Sequence, residues 1–143
     1  SIMFVISWGP SFRILVTQVQ EGEEEDSIGT IDCSNNGYHI AAGHKSTVRF
    51  WDLRKQKVVA TLKDGLKSIN TVSFDKAGKY AAMGGKGGVK ITTVKEWGTT
   101  ASLETKHPVV ATIWSKSTLE VSCDKDRMVY FYGVPSVEDE MEE

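Results

Sequence analysis

The chain repeats itself with a period of about 40 residues. Three segments can be placed over one another so that Val48 falls on Val89 and then on Val129, at spacings of 41 and 40 residues. Within each segment, short runs rich in β-branched and aromatic residues are separated by Gly, Asn, Asp and Lys turns. No stretch keeps apolar residues at the spacing of an amphipathic helix. A period of this size, with four short strands in each unit, predicts an all-β protein built as a β-propeller.

Each unit, or blade, can be divided into four strands, which we letter a to d. Strand a ends in a polar turn, Ser34-Asn35-Asn36-Gly37 in one unit and Asp75-Lys76-Ala77-Gly78 in the next, which favours a hairpin into strand b. Strand b is rich in Ala and Gly, as expected where neighbouring blades approach closely. Strand c carries the large side chains, and strand d is expected at the outer edge of the blade.

The repeats predict part of a propeller. The first residues align best as strands c and d, because Trp8-Gly9 then matches Trp97-Gly98; the rival assignment to strands b and c leaves no room for a strand d before Ile28. A complete seven-bladed propeller needs roughly 280 residues, so this chain corresponds to about three and a quarter blades of an expected seven. We expect strands c and d of an incomplete blade at 1–20, an acidic loop at 21–27, complete blades at 28–65 and 66–106, strands a to c of a last blade at 107–134, and an acidic tail at 135–143.

Composition and charge exclude several classes of protein. Hydrophobic residues make up 40% of the chain, which is too many for a disordered protein. The longest unbroken apolar run, from Ile2 to Ile6, is far shorter than the roughly 20 residues of a membrane-spanning helix. No charged segment followed by a long apolar stretch opens the sequence, so we expect neither a signal peptide nor a membrane association. A net charge of −2 gives no general electrostatic reason to bind nucleic acid.

The cysteines and histidines form no recognisable ligand set. Cys33 and Cys123 lie outside any C-x-x-C spacing, and we expect reduced thiols rather than a disulfide or a metal site. None of the three histidines clusters with Asp or Glu in the sequence. We therefore predict no metal and no cofactor.

One unit ends strand c with Phe50-Trp51-Asp52-Leu53, and this Trp-Asp dipeptide within a 40-residue period resembles the WD40 repeat. In WD40 blades of this type a His, a Ser, an Asp and a Trp form a hydrogen-bonded network that fixes the blade. The resemblance implies such a structural role for six residues: His107, Ser122, Asp126, Tyr132 (in the Trp position), Trp51 and Asp52. The network is incomplete in the two preceding units, where Lys45 and Lys86 stand in the Asp position.

The same Ser122, His107 and Asp126 could instead suggest a hydrolase site. Their spacing follows the blade, however, and the sequence contains no G-x-S-x-G nucleophile elbow. We therefore expect no catalytic site in this chain.

A closer resemblance covers residues 29–133. The motifs that carry it are Trp51-Asp52-Leu53-Arg54-Lys55, Gly84-Gly85, Lys95-Glu96-Trp97, Asp126-Arg127 and Phe131-Tyr132. They are similar to the last blades of the spliceosomal pre-mRNA-processing factor nineteen family, whose members carry a U-box ubiquitin-ligase domain, a coiled coil that tetramerises and a seven-bladed WD40 domain. The sequence departs from the family in its first 26 residues and in the tail after Val134.

The resemblance implies a nuclear ubiquitin-protein ligase that acts in pre-mRNA splicing and DNA repair. Its expected partners are spliceosomal and ubiquitinated-substrate proteins, and the parent protein is expected to be a homo-tetramer and an enzyme through domains that this sequence does not contain. The alternative is an architectural WD40 subunit of another complex without a connection to a ligase. Neither hypothesis includes direct binding of nucleic acid or membrane.

Three further features could carry function, and each has a simpler structural explanation. The Gly84–Gly88 run could cradle a phosphate but lacks the spacing of a P-loop, so a hairpin is favoured. The basic turn from Arg54 to Lys57 could touch RNA phosphates, but no aromatic residues interleave with it for stacking, so a solvated turn is favoured. Trp97, in a c–d turn, could anchor a partner or pack locally.

Propellers present their b–c turns and d–a connections on one face, which typically binds peptides or proteins. We therefore predict a protein-interaction platform on that rim, and we add the c–d-turn residue Trp97 as a candidate anchor. The candidate partner-binding residues are His44, Lys45, Ser68, Gly85, Lys86, Trp97, Lys125 and Asp126.

Overall fold

The structure is a computed structural model that describes residues 28–133, apart from Asp64 and Arg127, together with the backbone of two short strands near the start of the chain. The described strands are β1 (Ser7–Trp8), β2 (Ser11–Phe12), β3 (Thr30–Cys33), β4 (His39–His44), β5 (Thr47–Asp52), β6 (Lys57–Leu62), β7 (Lys67–Phe74), β8 (Tyr80–Lys86), β9 (Gly88–Thr93), β10 (Thr99–Glu104), β11 (Val109–Ser115), β12 (Thr118–Cys123) and β13 (Val129–Gly133). None of the described residues lies in a helix, so this part of the chain holds no helix long and apolar enough to cross a membrane.

The strands form antiparallel meanders, which confirms the all-β propeller class predicted from the repeats. β3 to β6 make one four-stranded sheet, β7 to β10 make a second, and β11 to β13 make a three-stranded sheet. Equivalent rows recur in the three sheets, each starting from a threonine of strand a: Thr30–Gly43–Val48, Thr71–Gly84–Val89 and Thr112–Val121–Tyr130. The register therefore gives Tyr130 the place of Val48 and Tyr132 the place of Phe50. Tyr132 lies one position away from the Trp51 place that the sequence comparison assigns to it.

The repeat extends to the backbone of the turns. Gly37 and Gly78, which lie 41 residues apart in successive a–b turns, have φ angles of 76° and 70°. Gln56 and Trp97, also 41 residues apart in successive c–d turns, have φ angles of 54° and 56°. Such left-handed backbone is uncommon for a residue other than glycine. The two blades therefore share turn conformations as well as strand order.

Neighbouring sheets pack through strand a of one blade against strands a and b of the preceding one, so that β7 lies on β3 and β4, and β11 lies on β7 and β8. This contact explains the small residues of strand b. A Cβ atom added to Gly43 would lie 2.6 Å from a methyl group of Ile69, and one added to Gly84 would lie 2.6 Å from a methyl group of Val109. The close approach of the blades leaves no room for a side chain at these positions.

Two buried cores fill the junctions between the three sheets. In the first junction Phe50, fully buried in β5, packs edge-to-face on Phe74 of β7 at 6.1 Å between ring centroids. In the second junction Val109, Leu119 and Val121 are fully buried together with Val89 of β9. Burial of this apolar surface between blades is the main stabilising term in the fold.

Polar side chains on the three a strands link the blades near the inner edge of the sheets. Thr30, Thr71 and Thr112 recur at intervals of 41 residues. The Thr30 hydroxyl accepts a hydrogen bond from Val72 N, and the Thr71 and Thr112 hydroxyls lie 3.0 Å apart. The carboxylate of Asp32 accepts a further bond from Phe74 N at 2.8 Å. The interval of 41 residues between these threonines is visible in the sequence and marks the contact between successive a strands.

Near the start of the chain, β1 pairs with β2 in a two-stranded antiparallel hairpin, in which Trp8 faces Ser11. Within the expected incomplete blade at 1–20, the sequence predicts strand c at 3–7 and strand d at 12–19. The rest of residues 1–27, with the predicted acidic loop, lies outside the described residues, as does the predicted tail after Gly133.

Candidate ligand-binding cleft

A cleft of about 480 Å³ opens between the first and second sheets, on the side of the propeller that carries the a–b and c–d turns. We call this side the c–d face and the opposite side, with the b–c turns and d–a connections, the b–c face. One wall comes from the end of β5, the turn after it and the start of β6, and the other from the c–d turn of the next blade. The lining residues are His39, Asp52, Arg54, Lys55, Lys57, Val58, Val59, Lys95 and Trp97.

Asp52, the Asp of the Trp-Asp dipeptide, shapes the turn that forms the first wall. Its buried carboxylate accepts hydrogen bonds from Arg54 N at 2.8 Å and from Lys55 N at 3.0 Å. The Arg54 guanidinium lies 3.5 Å from the same carboxylate and 3.8 Å above the ring centroid of Tyr38. Asp52 therefore holds the turn from within and leaves the side chains of Lys55 and Lys57 exposed.

Trp97 forms the second wall and joins the blades. Its ring lies 4.5 Å from the ring of Phe50 and 5.5 Å from that of His39, measured between centroids. Trp97 is half-buried and packs on the core of the first junction. Of the two alternatives for this residue, the structure shows local packing, at a position that also lines the cleft.

His39 lines the cleft and is only 6% exposed. Its Nε2 lies 3.8 Å from a carboxylate oxygen of Asp52, which is too long for a hydrogen bond. Its Nδ1 is buried and has no hydrogen-bond partner among the residues that the structure describes. A buried polar atom without a partner is uncommon and costs free energy.

The environment moves the pKa values of both groups. Burial lowers the pKa of His39, and the positive charges of Arg54, Lys95 and Lys55 lower it further, against a raising effect of Asp52. Burial alone would raise the pKa of Asp52, but hydrogen bonds from the backbone of Lys55 and Arg54, together with the Arg54 guanidinium, bring it below its usual value. At neutral pH the imidazole is therefore neutral and the carboxylate is charged.

We expect the free energy of unfolding to fall as the pH falls below about 6.5, the pKa of an unperturbed histidine. Because the pKa of folded His39 lies below that value, the unfolded chain binds more protons in this window, and stability is lost progressively as the pH falls towards the pKa of the folded state. Urea unfolding between about pH 7.5 and pH 5 measures the slope. The variant H39Q should show a shallower slope, and an unchanged slope would contradict the assignment to His39.

The predicted rim residues lie mainly on the b–c face, away from the cleft. Ile69 N donates a hydrogen bond to the Lys45 carbonyl, and Gly85 is buried against the carbonyl of Ser68. His44 is buried as well, whereas the Lys45, Ser68 and Lys86 side chains are exposed. The structure thus brings Lys45, Ser68 and Gly85 together at the first junction.

Lys125 and Asp126 lie in the b–c turn of the third sheet, Lys125 exposed and Asp126 half-buried. The carboxylate of Asp126 accepts hydrogen bonds from the Tyr130 hydroxyl at 2.6 Å and from Met128 N at 3.1 Å. The hydrogen bond from the Tyr130 hydroxyl to Asp126, together with burial, raises the pKa of Tyr130. Sequence comparison offered Tyr132 as the aromatic member of the network, and Tyr130, two residues earlier, was missed.

The other residues of the predicted network are Ser122, His107 and Trp51, and their positions in the structure are as follows. Ser122 is half-buried in β12, where it pairs with Ala111 and Val129. His107 precedes β11, and its carbonyl accepts a hydrogen bond from the Thr105 hydroxyl at 2.8 Å. Trp51 is buried with Ile40 and Ala42.

The described residues hold no group of three or more His, Cys, Asp or Glu side chains arranged to bind a metal ion. Cys33 and Cys123 are free thiols, and burial raises the pKa of each. Neither thiol lines the cleft. Apart from the buried Asp52 carboxylate, the cleft is lined by four cations, one imidazole and the apolar side chains of Val58, Val59 and Trp97.

Comparison with known proteins agrees with the repeat and the fold. The WD domain, G-beta repeat family matches residues 7–52, a segment that ends on the Trp51-Asp52 dipeptide. The curated protein Pre-mRNA-processing factor 19 of Oryza sativa subsp. japonica is 27% identical to this chain, over 89% of the chain and 26% of its own length.

Solved structures of other proteins have a similar fold. The structure of U3-55K and that of the RRP9 WD40 repeats each match with a TM-score of 0.71 and 15% identity, over 82% of this chain and 38% of theirs. The β-propeller domain of Cps50 (Swd1) from Myceliophteria thermophila matches with a TM-score of 0.61 and 19% identity, over 80% of this chain and 41% of its own. The chain thus spans less than half the length of the proteins it resembles. The fold is that of a WD40 repeat domain, and this chain forms part of such a propeller.

Proposed function

We propose that this chain is part of a protein-interaction propeller in a nuclear ubiquitin-protein ligase of pre-mRNA splicing, similar to the pre-mRNA-processing factor nineteen family. WD40 domains generally bind protein partners. The observation that supports the connection with splicing and with a ubiquitin ligase is the 27% identity to the rice pre-mRNA-processing factor over 89% of the chain. Partners among spliceosomal and ubiquitinated-substrate proteins, a role in DNA repair and a nuclear location follow from the same similarity.

Two features of the fold support a binding role. The blades pack through buried cores, so that the turns on both faces are held on a rigid support. The c–d face carries an open cleft whose charged side chains are exposed at the turns. In the proposal this chain supplies binding, and the transfer of ubiquitin belongs to another domain of the parent protein.

The test is affinity capture of the tagged full-length parent protein from cells of its source organism, followed by mass spectrometry and by localisation of the tag. We expect a nuclear signal and enrichment of splicing proteins, with ubiquitin-transfer activity in the captured material. A cytoplasmic signal, or capture without splicing proteins, would overturn the splicing proposal. Capture of a different complex that lacks ligase activity would instead establish the architectural alternative.

A further inference from the structure

We propose that the cleft on the c–d face binds an extended peptide that carries anionic side chains, either carboxylates or phosphoryl groups. The inference rests on the proposed function as an interaction platform and names the chemistry of one partner segment. It places that segment on the face opposite to most of the residues predicted from the sequence.

The charge of the lining residues points to an anion. Arg54, Lys55, Lys57 and Lys95 bring four cations to the cleft, whereas Asp52 is the one acidic residue that lines it. Asp52 is buried and already bonded to the turn backbone, and it engages the Arg54 guanidinium. The three lysine side chains are exposed. Glu96, also exposed, lies beside the cleft without lining it. A surplus of exposed cations attracts an acidic segment.

The shape of the wall points to an extended chain. β6 pairs with β5 along one edge, and within the described part of the chain its other edge has no neighbouring strand. Val58 and Val59 of this edge strand line the cleft, and Val58 is 45% exposed. An open strand edge offers backbone groups to an added peptide strand, and alternate side chains of that peptide then point to the same wall.

His39 gives a second, independent sign of a ligand. The residue is 6% exposed and lines the cleft, yet its Nδ1 has no hydrogen-bond partner among the described residues. Buried polar atoms are almost always paired in native structures. A hydrogen-bonding group of a bound peptide, such as a backbone N–H seated beside the ring, would give this nitrogen a partner.

The aromatic residues favour a peptide over RNA. Single-stranded nucleic acid binds by stacking its bases on free aromatic faces next to cations. Here the Arg54 guanidinium lies over the Tyr38 ring at 3.8 Å, and Trp97 is engaged by Phe50 and His39. The rings near the cleft therefore serve packing, and the cations remain for a partner that needs no stacking.

The test uses the full chain and three fluorescent peptides of about ten residues, long enough to run along an edge strand. One alternates glutamate with valine, one carries phosphoserine in place of glutamate, and one carries glutamine. We expect the two anionic peptides to bind at least about tenfold more tightly than the neutral one by fluorescence anisotropy. The ratio between them tells whether carboxylate or phosphoryl groups are preferred.

Two double charge reversals locate the site. K55E/K57E changes exposed lysines of the cleft. K63E/K106E makes the same change of charge on the b–c face, at exposed lysines of the two d–a connections that are neither cleft residues nor candidate partner-binding residues. We expect K55E/K57E to weaken binding at least about tenfold and K63E/K106E to weaken it less than about twofold. Urea unfolding of both variants confirms that each is folded.

Several results would overturn the proposal: no binding of either anionic peptide, equal loss in both variants, or loss in K63E/K106E alone. Displacement of the bound peptide by a short single-stranded RNA at a lower concentration than unlabelled peptide requires would overturn it as well. Failure here is distinguishable from failure of the proposed function. If the original protein and K55E/K57E capture splicing proteins equally and neither binds the peptides, the peptide-binding proposal is refuted and the proposed function stands. If the peptides bind but no splicing proteins are captured, the proposed function is refuted and the peptide-binding proposal stands.

Discussion

Replacement of Gly88 by alanine is expected to lower the free energy of unfolding by at least about 3 kcal/mol. Gly88 begins β9 with a φ angle of 136°, a conformation that residues with a side chain rarely adopt. An added Cβ would fall on the carbonyl oxygen of Leu103, 2.9 Å from its carbonyl carbon and 3.1 Å from the Glu104 Cα. The obstacle is backbone of the paired strand β10, which cannot move aside without separating from β9.

The matched control for this change is G98A. Gly98 lies in the c–d turn of the same blade, and an added Cβ would have no heavy atom within 4 Å. We expect its free energy of unfolding to stay within about 0.5 kcal/mol of the original. Urea midpoints with unchanged m-values would measure both variants. Similar midpoints for G88A and G98A would show that β10 yields, contrary to this expectation.

Replacement of Phe50 by alanine is expected to cost about 3–5 kcal/mol of stability. Phe50 is fully buried and lies between the rings of Phe74 and Trp97, both of which belong to the next blade. Its removal leaves a cavity at the junction of two blades and takes away the ring on which Trp97 rests. We therefore expect the cleft to lose its second wall together with the stability.

The variant F131A makes the same change at an exposed position, since Phe131 is 66% exposed in β13. We expect it to alter the free energy of unfolding by less than about 0.5 kcal/mol. The peptide anisotropy assay gives a second measurement, in which F50A under folding conditions should bind more weakly than F131A. A stable F50A with a normal urea midpoint would contradict the packing described here.

The fold could be predicted because each blade repeats its own chemistry. Valine at equivalent c-strand positions, Gly and Ala in strand b and polar residues between a and b are local features that a period of 40 residues makes visible. The close approach at Gly43 and Gly84 is the physical reason why those small residues recur. Local pattern and tertiary packing therefore point to the same architecture.

The cleft could not be predicted in the same way, because its walls come from two blades. In the sequence, the basic turn at 54–57 and Trp97 are separate features. The turn is interpreted as solvated, and Trp97 has two alternatives, a partner anchor or local packing. Only the contacts of Trp97 with Phe50 and His39 show that the turn and Trp97 face one space. The spacing of 41 residues between Gln56 and Trp97 could have placed both on one face.

The hydrogen bonds of Asp126 show a second limit of pattern reasoning. Alignment gives Tyr132 the place of Trp51, whereas the strand register gives it the place of Phe50, and the hydroxyl that reaches Asp126 is that of Tyr130. Tyr130 carries its hydroxyl at the end of a long side chain, and its reach depends on the geometry of the turn. An alignment compares positions along a strand and contains no such distance.

The middle sheet, β7 to β10, is the one described sheet that packs on both of the others. Cooperativity in such a row passes from neighbour to neighbour, as in a one-dimensional array. If the first sheet or the third sheet unfolds locally, the other two sheets stay in contact. If the middle sheet unfolds locally, the first and third sheets lose the contact that couples them. The slowest amide exchange should therefore belong to β7 and β8, the strands that both neighbours cover.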